Sequence, residues 1–480
     1  MPLNIGIMGH VDSGKTTLAR ALSTIASTAA FDVHSKVANL RANTIDLGMS
    51  ALKLDGKILA FIDCPGHSSL IRSVLIASSV FDMAIVVVNA LKGIERQTAE
   101  HLLLVSLICP QHLIVVLSKI DLVDEKQIVD VRKRIVKALK QLNIDSSPIV
   151  PVSLISPNES NIACIVEAIR QNFYEPERIS SGKFVMSVDH CFPIKGKGTV
   201  MTGTIIDGMC RIGMEVEIPI SNERRKIKNI QCWKEDVTVA NMGERAALLF
   251  HAIPNLEKID RTIIFEPGAL SRTRFVYASA HKITFFKPKL INRCKLLISV
   301  GFNAMLAECQ FFVEADSVDE FELKSDDDEG FSSVLLSFDS PIYTKPDSLY
   351  IASKLDSQDS GCRFAFHGKI QRILNDDREL CRFRRKIKFG QVERIENETS
   401  LICKNMFKKE SNIDRFIGMP VKLSTGEKGF IESTFGKSGK VRIRIDSSFA
   451  IRQSSLNEEI FIYLYLKKYL NDHSLRAYIP

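Results

Sequence analysis

The chain has 480 residues, 45% of them hydrophobic and 25% charged. One hydrophobic core organises roughly 250 to 300 residues, so a single small binding module is excluded and three or four domains are predicted. The most apolar stretch, residues 102–117, is broken by Pro110, Gln111 and His112, and the eleven scattered cysteines form no CxxC pair or metal-ligand spacing; a membrane span, a signal peptide, a disulfide framework and a zinc site are therefore not expected, and the reading is of a cytoplasmic protein without a membrane partner.

From the N-terminus, apolar runs at residues 3–8, 58–62, 83–88, 113–117 and 149–152 alternate with helical patterns that begin at Lys15, Ser68, Glu95 and Glu125. That alternation predicts a doubly wound α/β domain. Runs such as Ala84-Ile85-Val86-Val87-Val88 lack polar alternation, as parallel strands buried on both faces should. Residues 174–182 have linker character, and after them short strands separated by Gly, Asn and Pro turns predict one or two β-barrels reaching to about residue 380. Within these, residues 314–330 carry nine acids and one lysine, a charge block expected to form a mobile surface loop. The tail again reads as strands. Residues 381–480 hold 20 Lys+Arg against 11 Asp+Glu, a balance of +9 in a chain whose net charge is +8, so the whole basic excess lies there and a polyanion is the expected partner.

GHVDSGKT at residues 9–16 follows the first strand and opens a helix, which is the context a phosphate-binding loop needs. Gly9 and Gly14 let the backbone of His10, Val11, Asp12 and Ser13 wrap the phosphates, with N–H groups and the helix N-terminus pointing at them. Lys15 supplies a point charge for the β and γ phosphates, Thr16 offers a hydroxyl to Mg²⁺, and Thr17 continues the binding segment. A glycine-rich turn with a solvated lysine would leave the order of strand, loop and helix unexplained. DCPGH at residues 63–67 closes the strand KILAFID. There Asp63 can hold a water of the Mg²⁺ shell, Gly66 can bring its N–H to the γ phosphate, and His67 is the candidate catalytic residue that orients the attacking water; a structural hydrogen bond is the plainer role for His67. SKID at residues 118–121 closes a later strand, where Asp121 can accept two hydrogen bonds from guanine that adenine cannot supply, while the Lys119 stem packs on the base. Asp121 as a helix cap is the alternative. GTP with Mg²⁺ is the expected nucleotide and cofactor.

In the tail, Arg382, Arg384, Lys386 and Lys388 alternate with Phe383, Arg385, Ile387 and Phe389, and Arg442 and Arg444 alternate with Val441, Ile443 and Ile445. Period two places the cations on one sheet face and the apolar residues largely on the other. Such a face suits RNA phosphates and carries no base specificity. No ordered aromatic pattern points to base stacking, and a solvated strand face is the bland alternative.

The three nucleotide loops together resemble those of the translational GTPases. The segments LARALSTIASTAAFD (18–32), DCPGHSSLIRS (63–73), MSVDHCFPIKGKGTVMTGTI (186–205) and FKKESNIDRFIGMPVKLSTGEKGFIESTFGKSGK (407–440) resemble the eukaryotic selenocysteine-specific elongation factors. The resemblance implies an α/β P-loop GTPase domain (1–177) followed by two β-barrel domains (178–267 and 268–380), as in elongation factor Tu, and a C-terminal basic, mainly β domain (381–480). It also implies ribosome-stimulated GTP hydrolysis and delivery of selenocysteinyl-tRNA to a ribosome paused at a recoded UGA codon. The selenocysteine insertion stem-loop RNA and its binding protein are the further partners implied, and a monomer is expected.

By the same resemblance, Thr44 matches the switch-one threonine that reaches Mg²⁺, Asp63 and His67 the switch-two pair, and Ser153 and Leu154, loosely, the last guanine loop. Ala42 and Asn43 stand in place of the family's Gly-Ile, and Ser118 in place of its guanine-loop asparagine, so a hydroxyl substitutes for an amide that donates and accepts at once. Asp189 and His190 match the Asp-His pair of the family's selenocysteine pocket, and Arg261 its arginine; on residues alone, an Asp-His pair on a strand reads first as a structural pair. A selenol reaches such a pocket largely as an anion whereas serine is neutral, so desolvated cations would tell them apart. Two other functions stay open on sequence: a general elongation or initiation GTPase, and a non-hydrolysing RNA-binding scaffold that retains the fold.

Overall fold

The computed structural model describes the chain apart from residues 1, 24, 27–47, 68–70, 79, 155–158, 179–181, 254–261, 302, 314–318, 326–329, 355–360, 437–438 and 447–458. Thr44 and Arg261, with Ala42 and Asn43, lie outside the described residues. Among the described residues, no helix is long and apolar enough to cross a membrane.

Strands Leu3–Gly9 (β1), Ile25–Ala26 (β2), Gly48–Leu54 (β3), Lys57–Asp63 (β4), Met83–Asn89 (β5), Leu113–Ser118 (β6) and Ile149–Pro151 (β7) form one sheet in the order β2-β3-β4-β1-β5-β6-β7. From β4 to β7 the pairing is parallel, and every residue of β5 is buried; its β-branched side chains suit a sheet covered on both faces. The helices Lys15–Leu22 and Glu159–Gln171 cover one face, setting Leu18, Leu22, Ile165 and Ile169 against Ile5, Ile7 and Phe61. On the other face, the helices Ile71–Ser78, Arg96–Ile108 and Glu125–Gln141 bring Val74, Leu102, Leu104, Ile135 and Leu139 onto Val86 and Val88. Parallel strands end on one edge, so the loops after β1, β4, β6 and β7 converge there.

The sequence reading places no strand at β3. It runs antiparallel to β4 through Asp55 and Gly56, at φ 50° and 76°, the conformation that two-residue hairpin turns require. The Asp-Gly pair is its signal.

Residues 185–265 form an eight-stranded antiparallel sheet, with a two-stranded companion, around Met186, Val188, Met201, Ile218, Leu248 and Ile264. Next, six strands, Ser271–Ser279, Cys294–Val300, Asn303–Val313, Ser333–Thr344, Leu349–Ser353 and Phe364–Leu374, close into a ring, because Cys294–Val300 pairs with both Asn303–Val313 and Leu349–Ser353. A second ring of six, Cys381–Asn397, Ser400–Lys404, Pro420–Leu423, Lys428–Phe435, Lys440–Ile445 and Phe461–Tyr469, closes by pairing its first and last strands. Closure pairs each of these twelve strands on both sides.

The acidic segment departs from the loop expected over residues 314–330. Glu320–Leu323 is a strand, antiparallel to Asn303–Val313 and parallel to Cys381–Asn397, so it stitches the two rings into one sheet. Phe321 and Leu323 are buried with Phe312 and Leu335. Their alternates point at the last ring: Glu320 accepts from Lys467 and Tyr469, and Glu322 pairs with Arg385 at 2.7 Å. Lys467 and Arg385, far along the chain, offset the repulsion that makes this segment read as a loop.

Candidate nucleotide-binding site and RNA-facing surfaces

The turn after β1 uses backbone conformations that few residues adopt. Gly9 and Gly14 sit at φ 145° and 96°, and a Cβ at Gly9 would fall 2.3 Å from the Val87 carbonyl oxygen, so the strand's exit requires glycine. Gly14 supplies no side-chain cap to the helix Lys15–Leu22, which leaves first-turn N–H groups for an anion. Lys15 is 6% exposed and donates to the His10 carbonyl at 2.6 Å. Burial pulls its pKa down, opposed by the charge of Asp63. Thr16 donates to Asp63 Oδ2 at 2.7 Å, and a Cβ on Gly66 would meet Lys15 Nζ at 2.4 Å and the Val11 nitrogen at 2.9 Å.

The phosphate loop and the end of β4 are therefore brought together. Asp63 is held above the usual carboxylate range by burial, against the Thr16 hydroxyl and Lys15, and its Oδ1 is buried with no hydrogen-bond partner among the described residues. A buried carboxylate oxygen without a donor, beside a hydroxyl, fits a hard divalent cation, so the donor set suits Mg²⁺. His67 and Thr17 are exposed at the rim.

The turn after β6, expected to read guanine, packs against the same turn. Ser118 is fully buried, its hydroxyl 2.6 Å from the Ser13 carbonyl and 3.2 Å from that of Val88. One proton serves both acceptors, and the serine still ties the end of β6 to the phosphate loop. Lys119 takes a left-handed φ of 58°. Asp121, exposed in the turn Ile120–Leu122, accepts from Ser153 Oγ at 2.5 Å, while Asn161 holds the Ser153 carbonyl at 2.9 Å. A Cβ at Gly14 would stand 3.4 Å from Leu154 Cδ1. Ser118, Lys119, Asp121, Ser153 and Leu154 thus share one edge with residues 9–17.

Two residues behind the phosphate loop are missing from the sequence reading. The Gly9 N–H donates to His101 Nδ1 at 3.0 Å. His101 is 1% exposed, and burial, helped by the nearby charge of Lys15, pulls its pKa down to about 3, so the ring stays neutral and keeps a lone pair for Gly9. Its neighbour Glu100 is buried too and takes a two-point bond from Arg363, with Nε to Oε1 at 2.7 Å. Arg363 belongs to the first closed ring, whose Ile283, Ile351 and Phe364 join the core under the helix Arg96–Ile108. The signal in the sequence is the charged and polar pair Glu100-His101 directly before Leu102-Leu103-Leu104-Val105.

In the second domain, Asp189 is buried on the strand Val185–Ile194, accepting from Thr202 Oγ1 at 2.9 Å and from Arg245 Nη1 at 2.5 Å. His190 follows it, half-buried opposite Thr202. Arg245 is 3% exposed, and its Nε and Nη2 have no acceptor among the described residues. The sequence reading omits Arg245, although a lone cation opening the apolar strand Arg245–Phe250 must find a partner if buried.

The tail needs a correction. Val441, Ile443 and Ile445 point into the ring and Arg442 and Arg444 outward, where they meet Glu396 at 2.8 Å and Glu432 at 3.3 Å. Along Cys381–Asn397, however, Lys386 and Lys388 stand opposite the core residues Leu466 and Leu464, while Ile387 and Phe389 face solvent at 58% and 62% exposure. Period two fixes which residues share a face, but pairing with Phe461–Tyr469 decides which face is inner. Lys388 lies over the Phe407 ring at 5.1 Å. Arg384 and Lys386 are exposed. Arg382 is not: it is buried at the junction of the rings, bonded to Asp377 at 2.7 Å and Gln310 at 2.9 Å, because the strand Glu320–Leu323 lies alongside it.

Residues 2–175 match the family model of the elongation factor Tu GTP binding domain, residues 327–368 that of the third domain of the eukaryotic selenocysteine-specific elongation factor, and residues 378–473 that of the eEFSec C-terminal RIFT domain. The selenocysteine-specific elongation factor of Mus musculus is 35% identical over 92% of this chain and 88% of its own. That of Methanocaldococcus jannaschii is 35% identical over 62% of this chain and 64% of its own. Among solved structures, translation elongation factor SelB of Methanococcus maripaludis in complex with the GTP analogue GppNHp aligns with a TM-score of 0.79 at 25% identity, covering 99% of each chain.

Proposed function

This chain belongs to the selenocysteine-specific elongation factors, a family of translational GTPases, and on that premise we propose that it carries selenocysteinyl-tRNA in its GTP state and releases it on the ribosome after hydrolysis. The observation that carries this reading is the meeting of Thr16 with Asp63 and of Gly66 with Lys15. A γ phosphate between Lys15 and the Gly66 N–H would hold the segment that bears His67, and its loss would free that segment. Thr16 and Asp63, with Thr44, would hold Mg²⁺, which when bound offsets phosphate charge. His67 orients the attacking water. Asp121 and Ser153 read guanine, with Lys119 against the base.

The cargo pocket in this reading is Asp189, His190 and Arg261, with Arg245 as a further cation held by Asp189. Asp189 fixes the Arg245 guanidinium, and its Nε and Nη2, without an acceptor among the described residues, favour an anionic selenolate over a neutral serine hydroxyl, because burying those donors without an anion is costly. We divide the chain into a GTPase domain (1–177), two barrels (178–267 and 268–380) and a basic RNA-contacting barrel (381–480), acting as a cytoplasmic monomer with the insertion stem-loop RNA and its binding protein as further partners. Single-turnover GTP cleavage with ribosomes tests the gate. Stimulation that disappears in His67→Ala is expected; no stimulation in either protein would leave the scaffold reading.

A further inference from the structure

The face of the last ring that bears Ile387 and Phe389 is an ordered grid three residues wide, built from four strands, with Pro420–Leu423 and Leu475–Tyr478 both flanking Phe461–Tyr469. Across Cys381–Asn397, Phe461–Tyr469 and their outer neighbours, the pairing aligns Phe389 with Tyr463 and Lys422, Ile387 with Tyr465 and Tyr478, and Arg385 with Lys467 and Arg476. Directly opposed residues point to the same side, and Ile462, Leu464 and Leu466 take the inner one. The outer side is therefore two aromatic rows bordered by cations. Tyr465 lies 6.2 Å from Tyr463 and 5.9 Å from Tyr478, ring centre to ring centre, and Arg385 sits 5.7 Å from the Tyr478 ring. Of the carboxylates nearby, Glu320 and Glu322 are taken up by Lys467 and Arg385 and Asp472 lies near Arg476, so the four cations Arg385, Lys467, Lys422 and Arg476 exceed the three acids by one.

We propose that this face is a docking platform for an unpaired stretch of RNA, whose bases stack on Phe389, Tyr463 and Tyr465 while Lys422 and Arg476 meet its phosphates. Flat aromatic side chains on an exposed sheet, spaced one per splayed base and flanked by cations, are the arrangement that holds single strands without reading their sequence. A duplex would not use it, since paired bases hide their faces within the helix. The choice of RNA over an apolar protein surface rests on the positive border and the +9 balance of residues 381–480, and so on the reading of the tail as an RNA-contacting barrel.

The test uses the full chain and two labelled strands of about ten nucleotides, oligouridylate and an abasic strand with the same number of phosphates, followed by anisotropy. Oligouridylate is expected to bind at least about tenfold more tightly than the abasic strand. Phe389→Ala/Tyr465→Ala should lose that advantage and leave abasic binding unchanged, and Tyr465→Phe should keep it. Equal binding of the two strands by the natural chain overturns the proposal without recourse to any variant. Undiminished oligouridylate binding by the double variant overturns it as well, and is the result expected if the face docks a protein. Ribosome-stimulated GTP cleavage should be intact in the double variant. If the natural chain lacked that cleavage but preferred bases to abasic sites, the carrier reading would fall and the platform would stand.

Discussion

Ser118, where the family resemblance expects an asparagine, still ties the end of β6 to the turn after β1. Its hydroxyl bonds the Ser13 carbonyl from a fully buried position, so Ser118→Ala strands an acceptor at a cost of about 1–2 kcal/mol. GTP affinity is expected to fall roughly five- to thirtyfold, measured by competition with a fluorescent analogue; an unchanged affinity would mean that the tie does not shape the site. Asp121→Asn replaces an acceptor for guanine by an amide and is expected to move preference from GTP toward XTP in the same assay. His101 offers a pH test. An exposed histidine titrates near 6.5 and this one near 3, so between those values the unfolded chain binds a proton that the folded chain does not, and stability is full above the upper value and falls as pH drops. From pH 7.5 to 5.5 the loss from this one residue is about 1.4 kcal/mol. Urea titrations at the two pH values should show that increment in the natural chain and lack it in His101→Asn.

At the scale of elements, the helix Arg96–Ile108 serves two masters: His101 holds the first glycine of the phosphate loop, and Glu100 holds Arg363 of the first closed ring. Arg363→Met leaves the buried Glu100 with only the longer contact to Arg96 at 3.9 Å, a loss of up to about 3–5 kcal/mol, whereas Glu100→Met/Arg363→Met removes both charges and should restore most of it. A double-mutant cycle on unfolding reads the coupling, and additive losses would show that the two side chains do not act as a pair. This ion pair also marks where legibility ends. The α/β domain is plain in the sequence because buried parallel strands are continuous apolar runs and the phosphate, Asp63 and Asp121 loops all fall at their carboxyl ends. Glu100 and Arg245 are opaque because each is a charge whose partner is distant in the chain, and a charge without a visible partner reads as surface; Arg382, with Asp377 five residues away, is opaque because the strand that buries it comes from residues 320–323. The strand Glu320–Leu323 is opaque for the same reason, since its acids make sense beside Arg385 and Lys467.

For the molecule as a whole, the second ring cannot be treated as a detachable basic tail. Removing residues 381–480 would strip the parallel partner from Glu320–Leu323, take Leu470 from the cluster around Phe321 and Leu323, and leave Glu320 and Glu322 without Lys467 and Arg385, so its proposed RNA role is better tested by charge than by deletion. Arg384→Ala, Lys386→Ala and Arg444→Ala together are expected to lower the salt slope of RNA binding by about one for each phosphate that is no longer neutralised; a slope equal to that of the natural chain would remove these residues from the RNA-facing set.

The proposed carrier requires that the pocket around Asp189, His190 and Arg245 distinguish what the tRNA bears. The most direct measurement is equilibrium binding of selenocysteinyl-, cysteinyl- and seryl-tRNA to the full chain with a non-hydrolysable GTP analogue, repeated with GDP. Selenocysteinyl-tRNA is predicted to bind most tightly, seryl-tRNA most weakly, with the preference lost in GDP; equal binding of all three in both nucleotides would contradict the account.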